Sequence, residues 1–284
     1  MSKVRIIARL DIKGPNLVKG IHLEGLRVLG EPVDYARYYY QQGIDELFYM
    51  DVVASLYERN SLSDLVSRAA SEIFIPLTVG GGIRTVDDIR KVLRAGADKV
   101  CINTGAVKSP EFIKEAVEKF GSSTIVAAIE CIKQRDGRYL AFVDNGREET
   151  GLEVVEWAMR LEELGVGEIV ITSVDKEGTG EGVDSKLIQM ITSKVNIPVI
   201  AHGGVGKPAD VVDAVRAGAT GVAIASVLHY GTLQTDVIKR DGFKGEGNTR
   251  FLSENRTFAK IRPSSVVEIK SSLTEAGISV RSLV

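Results

Sequence analysis

Cysteine is nearly absent from this chain, with only Cys101 and Cys131 in 284 residues. Both fall in apolar stretches at expected strand ends, so they read as small buried hydrophobes rather than as a disulfide or half of a metal site. Histidine is equally sparse. His22, His202 and His229 are widely spaced, with no pair at helical separation, and neither a catalytic metal nor an organic cofactor is expected. Neither sign of charge dominates, since 36 Lys and Arg face 38 Asp and Glu. The resulting formal charge of −2 gives no basic field for nucleic acid, so any anionic ligand must be held by local groups. No apolar run approaches the roughly 20 residues needed to span a bilayer. Met1-Ser2-Lys3-Val4-Arg5 leads into a short strand without a signal-peptide pattern, so the expected location is cytoplasmic, away from membranes.

What the chain has instead is a repeat. Residues 75–104 slide onto 197–226, pairing Ile75-Pro76 with Ile197-Pro198 and Gly81-Gly82 with Gly203-Gly204. Arg94-Ala95-Gly96-Ala97 likewise meets Arg216-Ala217-Gly218-Ala219, and Val100 and Ile102 meet Val222 and Ile224, within eleven identities in thirty positions. Each unit reads as an apolar strand, a Gly-Gly turn, an amphipathic helix and a second apolar strand. The second strand closes on small residues, Asn103-Thr104 and then Ala225-Ser226.

Strands apolar on both faces alternate with helical segments along almost the whole chain, the pattern of a parallel sheet covered by helices. They centre on 4–10, 46–50, 75–79, 99–102, 124–129, 168–172, 198–201 and 221–225. Eight such units with a half-length repeat predict a single α/β domain over 1–284, a (β/α)8 TIM barrel with an internal twofold half-barrel repeat. A polar, glycine-bearing insertion at about 232–263 breaks the rhythm, as a surface loop or a functional flap.

In such a barrel catalytic groups stand at the C-terminal ends of strands. The residues there are Asp11, Asp51, Glu130, Thr172-Ser173 followed by Asp175 and Glu177, and His202. Asp11 and Glu130 come half a barrel apart, placing two carboxyls on opposite walls of the mouth, where one can remove a proton while the other delivers one. Each acid alone is equally well read as a helix cap or as a partner of Lys13 or Lys133. The glycine turns let backbone N–H groups approach phosphate oxygens. One donor set is Gly81, Gly82, Asn103 and Thr104; the other is Gly178, Gly203, Gly204, Ala225 and Ser226. Two sets imply a small molecule with phosphate at both ends.

These residues resemble the HisF family, the cyclase subunits of imidazole glycerol phosphate synthases, from residue 3 to about 231 and again over 264–283. The likeness rests on Arg-Leu-Asp-Ile-Lys at 9–13, Val-Lys-Gly at 18–20, Pro-Leu-Thr-Val-Gly-Gly-Gly-Ile-Arg at 76–84, and Ala-Gly-Ala-Asp-Lys-Val-Cys-Ile-Asn at 95–103. Thr-Gly-Leu at 150–152 and Gly-Glu-Ile-Val-Ile-Thr-Ser at 167–173 add to it. The resemblance implies an enzyme that uses ammonia from a glutaminase partner (HisH-like) to close an aminated ribulosyl bisphosphate, releasing imidazole glycerol phosphate and an aminoimidazole carboxamide ribotide. It implies Asp11 and Glu130 as the proton-transfer pair, Asp51 as shaping the ligand site, and Lys19 on a mobile loop after the first strand. It also implies Arg5, Glu46, Lys99 and Glu168 as a ring of charges where ammonia enters at the bottom of the barrel, with Asp98 as the docking acid for the partner. Without the resemblance that ring reads as a salt-bridged plug.

Departures from the family pattern cluster around the ligand. Glu130 and Glu177 stand where aspartate is usual, His202 and Arg9 replace small residues, and Gly14-Pro15-Asn16-Leu17 alters the first loop. His202 reads as an added phosphate donor or as a solvated side chain. An alternative reading is a HisF-like paralogue that channels ammonia to a sugar amidotransferase making acetamidino sugars for surface glycans. A HisA-type isomerase shares the twofold barrel and opposed acids, but needs no ammonia ring.

Overall fold

Alternation decides the architecture. On the first strand Ile6, Ala8, Leu10 and Ile12 pack outward into the large core beneath the helices, while Ile7 belongs to a separate inner cluster. A strand apolar on both faces needs a covering layer on each, which a barrel wrapped in helices supplies. The structure, a computed structural model, describes residues 3–54, 62–235, 237 and 260–281; most of the insertion expected at about 232–263 therefore lies outside the described residues.

The first half of the chain runs β1 (Arg5–Lys13), β2 (Asn16–Ile21), β3 (Glu24–Gly30), α1 (Pro32–Gln41), β4 (Glu46–Asp51), α2 (Ser63–Ala70), β5 (Leu77–Gly80), α3 (Val86–Arg94), β6 (Lys99–Ile102), α4 (Thr104–Lys108) and α5 (Pro110–Phe120). The second half runs β7 (Ile125–Lys133), β8 (Tyr139–Val143), β9 (Glu148–Glu153), α6 (Val154–Glu163), β10 (Glu168–Ser173), α7 (Ser185–Thr192), β11 (Val199–His202), α8 (Pro208–Arg216), β12 (Gly221–Ile224), α9 (Ser226–Leu233) and α10 (Val266–Glu275). The order of strands and helices is the same in both halves. β1, β4, β5, β6, β7, β10, β11 and β12 pair in parallel, and β12 returns to β1 to close the (β/α)8 barrel.

The internal repeat extends to single dihedral angles. Gly81 and Gly203 have φ of 103° and 96°, and Gly96 and Gly218 have 113° and 105°. Asn103 and Ala225 share an unusual backbone, with φ/ψ of −115°/−83° and −121°/−80°. Asp88 and Asp210 make the same cap, each accepting from two backbone N–H groups before its helix.

The sequence reading missed two antiparallel hairpins. β2 and β3 extend β1, and β8 and β9 extend β7, at corresponding places in the two halves. Asp11 and Glu130 thus stand inside long strands rather than at strand ends. The inner cluster is Ile7, Phe48, Cys101, Val126, Ala128, Val170, Ile200 and Ala223, an apolar shaft between the two ends of the barrel. Cys101 and Cys131 are both free and buried, and burial lifts Cys101 to about 12, so it behaves as a neutral hydrophobe.

Candidate active site

At the N-terminal end of the barrel the inward residues are charged. Arg5 donates to Glu46 at 2.9 Å and pairs with Glu168; Lys99 lies 3.0 Å from Glu46 and 3.2 Å from Glu168. The Thr78 hydroxyl donates to Glu46 at 2.9 Å. The ring closes because each carboxylate bridges both cations, and Glu46 and Glu168 are buried with every oxygen engaged. Beside it, exposed Asp98 accepts from the Leu77 amide at 2.8 Å.

The C-terminal mouth carries the expected acids. Arg9 Nε donates to Asp11 at 2.8 Å, and both residues are buried. Asp11 is therefore partnered by Arg9 rather than Lys13. Glu130 accepts from the Gly146 amide at 2.8 Å and forms no ion pair among the described residues. Burial first, then repulsion from Asp11 and Asp144, lifts it from 4.5 to about 7 against the opposing pull of Arg9 and Gly146. A carboxyl balanced near neutrality can give or take a proton. His202 lies 3.1 Å from the Thr172 hydroxyl and 3.2 Å from Arg9. Burial, with Arg9 and Lys19 nearby, holds it well below 6.5, so it is neutral and not the solvated side chain considered from sequence.

The hairpin tips meet over this mouth. His22 and Leu23 both adopt left-handed backbone, as do Asp144 and Asn145 at the other tip, and Asn145 donates to the Leu23 carbonyl at 3.0 Å. Left-handed leucine costs about 1–2 kcal/mol and needs its surroundings to hold it. Glu177 does so, accepting from the Leu23 amide at 2.9 Å while pairing with Lys19. Lys19, expected on a mobile loop, is thus in β2 and 1% exposed. Gly178 presses on the same hairpin: a Cβ there would come within 2.6 Å of the Gly20 carbonyl. Glu177 and Gly178, both expected among the ligand-site residues, also hold this hairpin.

The two glycine turns share one rim, since β5 and β11 are parallel barrel strands, but they differ in access. Gly81, Gly82, Asn103 and Thr104 line an open cleft with Arg9, Asp51 and Glu130. Gly204 is roofed by Gly182, whose N–H donates to its carbonyl at 2.8 Å, and Ala225 and Ser226 are buried. The Arg262 amide donates to Gly206 at 2.7 Å, so the described end of the insertion crosses that side. Among the described residues no group of three or more His, Cys, Asp or Glu is arranged to hold a metal, and no helix is long and apolar enough to cross a membrane.

A family model described as "Histidine biosynthesis protein" matches residues 5–234. A Legionella pneumophila protein named imidazole glycerol phosphate synthase subunit HisF is 58% identical over 207 residues, covering 73% of this chain and 98% of that protein. The chain belongs to the HisF family. Proteins of the same name from Lactococcus lactis subsp. lactis and subsp. cremoris are 44% and 43% identical over 252 residues, each covering 88% of this chain and 97% of the relative. None of these HisF names refers to a sugar amidotransferase, so the glycan alternative gains no support from them. The family match ends at residue 234.

Sequence reasoning undervalued Arg9, noted only as a replacement, and missed the Asp144-Asn145-Gly146 tip. That tripeptide is a turn signal after the apolar run Tyr139–Val143, but the strand that follows it, Glu148–Glu153, is largely acidic and gives no strand pattern of its own. His22-Leu23 gives no such signal.

Proposed function

We propose that this chain is the cyclase subunit of an imidazole glycerol phosphate synthase. In this reading it is a single-domain, cytoplasmic enzyme that uses ammonia from a HisH-like glutaminase. It closes an aminated ribulosyl bisphosphate (PRFAR) to imidazole glycerol phosphate with release of an aminoimidazole carboxamide ribotide. The observation that carries the reading is the pairing, in one barrel, of two facing acids at the mouth with a closed charge ring at the opposite end. Asp11 and Glu130 share the proton transfers. Gly81, Gly82, Asn103 and Thr104 hold one phosphate; Gly203, Gly204, Ala225 and Ser226, with Gly178 and His202, hold the other. Asp51 and Thr172 shape the site between them. Lys19 and Glu177 separate when ligand enters, freeing Lys19 for a phosphate.

Arg5, Glu46, Lys99 and Glu168 gate ammonia into the apolar shaft, a role with no counterpart in a sugar isomerase. The glutaminase docks on the N-terminal face at Asp98. The same face offers Phe74, 81% exposed just before β5 and edge-on to Tyr40 at 6.2 Å, the kind of aromatic anchor that protein interfaces use.

The purified chain, given the ribulosyl bisphosphate and saturating ammonium salt, is expected to make imidazole glycerol phosphate. Asp11→Asn is expected to cut turnover by at least about a hundredfold, the ordinary worth of a general acid or base, while its circular dichroism stays unchanged. A folded parent that gives no product at saturating ammonia removes the reading, and a copurifying sugar amidotransferase would then favour the glycan alternative. Unchanged turnover in Asp11→Asn would show that the acid pair is misassigned.

A further inference from the structure

Arg9 is the mouth residue that the family reading does not use. Its side chain faces inward from β1 above Ile7, and the residue is 3% exposed. From beneath, His229 Nε2 donates to the Arg9 carbonyl at 3.0 Å while Nδ1 accepts from the Tyr39 hydroxyl at 2.7 Å, which fixes the backbone there. The guanidinium reaches both halves of the barrel: Nε donates to Asp11 at 2.8 Å, and Nη1 lies 3.4 Å from the Thr172 hydroxyl and 3.2 Å from His202 Nδ1. Arg9 also borders the cleft that Gly81, Gly82, Asn103 and Glu130 line.

A guanidinium has five N–H donors, and Nε with Nη1 accounts for three. The two on Nη2 make no hydrogen bond among the described residues. Among the described residues the buried side-chain atoms without a partner are Tyr49 Oη and Ser173 Oγ, so Nη2 is not sealed in the interior but opens to the cleft that Arg9 lines, where water or a ligand oxygen can accept from it. Here the cation stands between the two glycine turns with one amino group unspent.

We propose that Arg9 is a ligand-contacting residue, whose Nη2 donates to a hydroxyl or carbonyl oxygen in the middle of the bisphosphorylated ligand while Nε and Nη1 hold Asp11 and His202 around it. The inference rests on the two-phosphate reading above and adds the group that discriminates what lies between the phosphates. The ligand class selected is one that carries oxygen at its centre.

Calorimetric titration with two probes tests this: the ribulosyl bisphosphate, and an alkanediol bisphosphate of matching phosphate-to-phosphate length. The parent is expected to bind both, the ribulosyl compound more tightly. Arg9→Met is expected to weaken the ribulosyl compound by about tenfold or more, the worth of a hydrogen bond to a charged group, and to change the alkanediol compound by less than about twofold. Arg9→Lys keeps a cation beside Asp11 but lacks the fork, so it serves as the folded control and should show the same selective loss. Equal weakening of both probes, or no weakening in either variant, overturns the assignment. A parent that binds neither probe overturns the two-phosphate reading itself, and Arg9 with it.

Discussion

Glu130 is longer by one methylene than the aspartate expected by resemblance, and the structure shows where that length goes. Its carboxyl reaches the Gly146 amide at 2.8 Å, in the hairpin that closes over the mouth. Because burial lifts it from 4.5 to about 7, folding favours the protonated form. Below 4.5 the carboxyl is protonated in folded and unfolded chains alike, and its contribution is fully present. As pH rises through 4.5 to 7 the unfolded chain ionises first, so stability falls by up to roughly 3 kcal/mol. Glu130→Gln is therefore expected to gain stability over the parent as pH rises from about 5 to about 8, read as a growing difference in denaturant midpoint at constant slope. A difference independent of pH would show that Glu130 is not held neutral. The facing acids were legible in the sequence because barrel strands turn polar where they leave the apolar shaft. The partners of those acids were not. Arg9 and His202 meet across 193 residues, a contact that no local pattern announces.

At the scale of elements, the eight barrel strands could be read from their apolar runs, whereas of the hairpins only the Asp144-Asn145-Gly146 turn left a signal. β2 and β3 follow β1 closely and turn on His22-Leu23, and a leucine ordinarily avoids left-handed backbone, so contacts from the other half of the barrel help to hold the turn. The hold is Glu177, which binds Leu23 and Lys19 together. Glu177→Ala would leave the Lys19 ammonium buried without a counter-charge, a loss of about 3–5 kcal/mol if the hairpin stayed closed. Opening is the cheaper response. Hydrogen exchange at the His22 amide is expected to accelerate by more than about tenfold in that variant, with core strands such as β7 unchanged. Unaltered exchange at His22 would mean that Glu177 does not latch the hairpin.

Over the whole molecule, duplication explains most of what the sequence disclosed. Matching dihedral angles at Asn103 and Ala225, and matching caps at Asp88 and Asp210, follow from repeated residues folding twice in the same way. The halves part company around the mouth, where one glycine turn opens to a cleft and the other is roofed. The charge ring belongs to neither half alone, since Arg5, Glu46 and Lys99 come from the first and Glu168 from the second. Lys99→Ala opens that ring, and it is expected to lower glutamine-driven turnover in the assembled complex several-fold more than turnover on free ammonia. Equal losses with the two nitrogen sources would argue against a gate. The most direct test of the account is a crystal of the chain soaked with the ribulosyl bisphosphate. The account expects one phosphate at the Gly82 turn, the other at the Gly204 turn with its roof displaced, and the reacting carbons between Asp11 and Glu130. A ligand seated on one turn only, with its reacting carbons away from both acids, would contradict it.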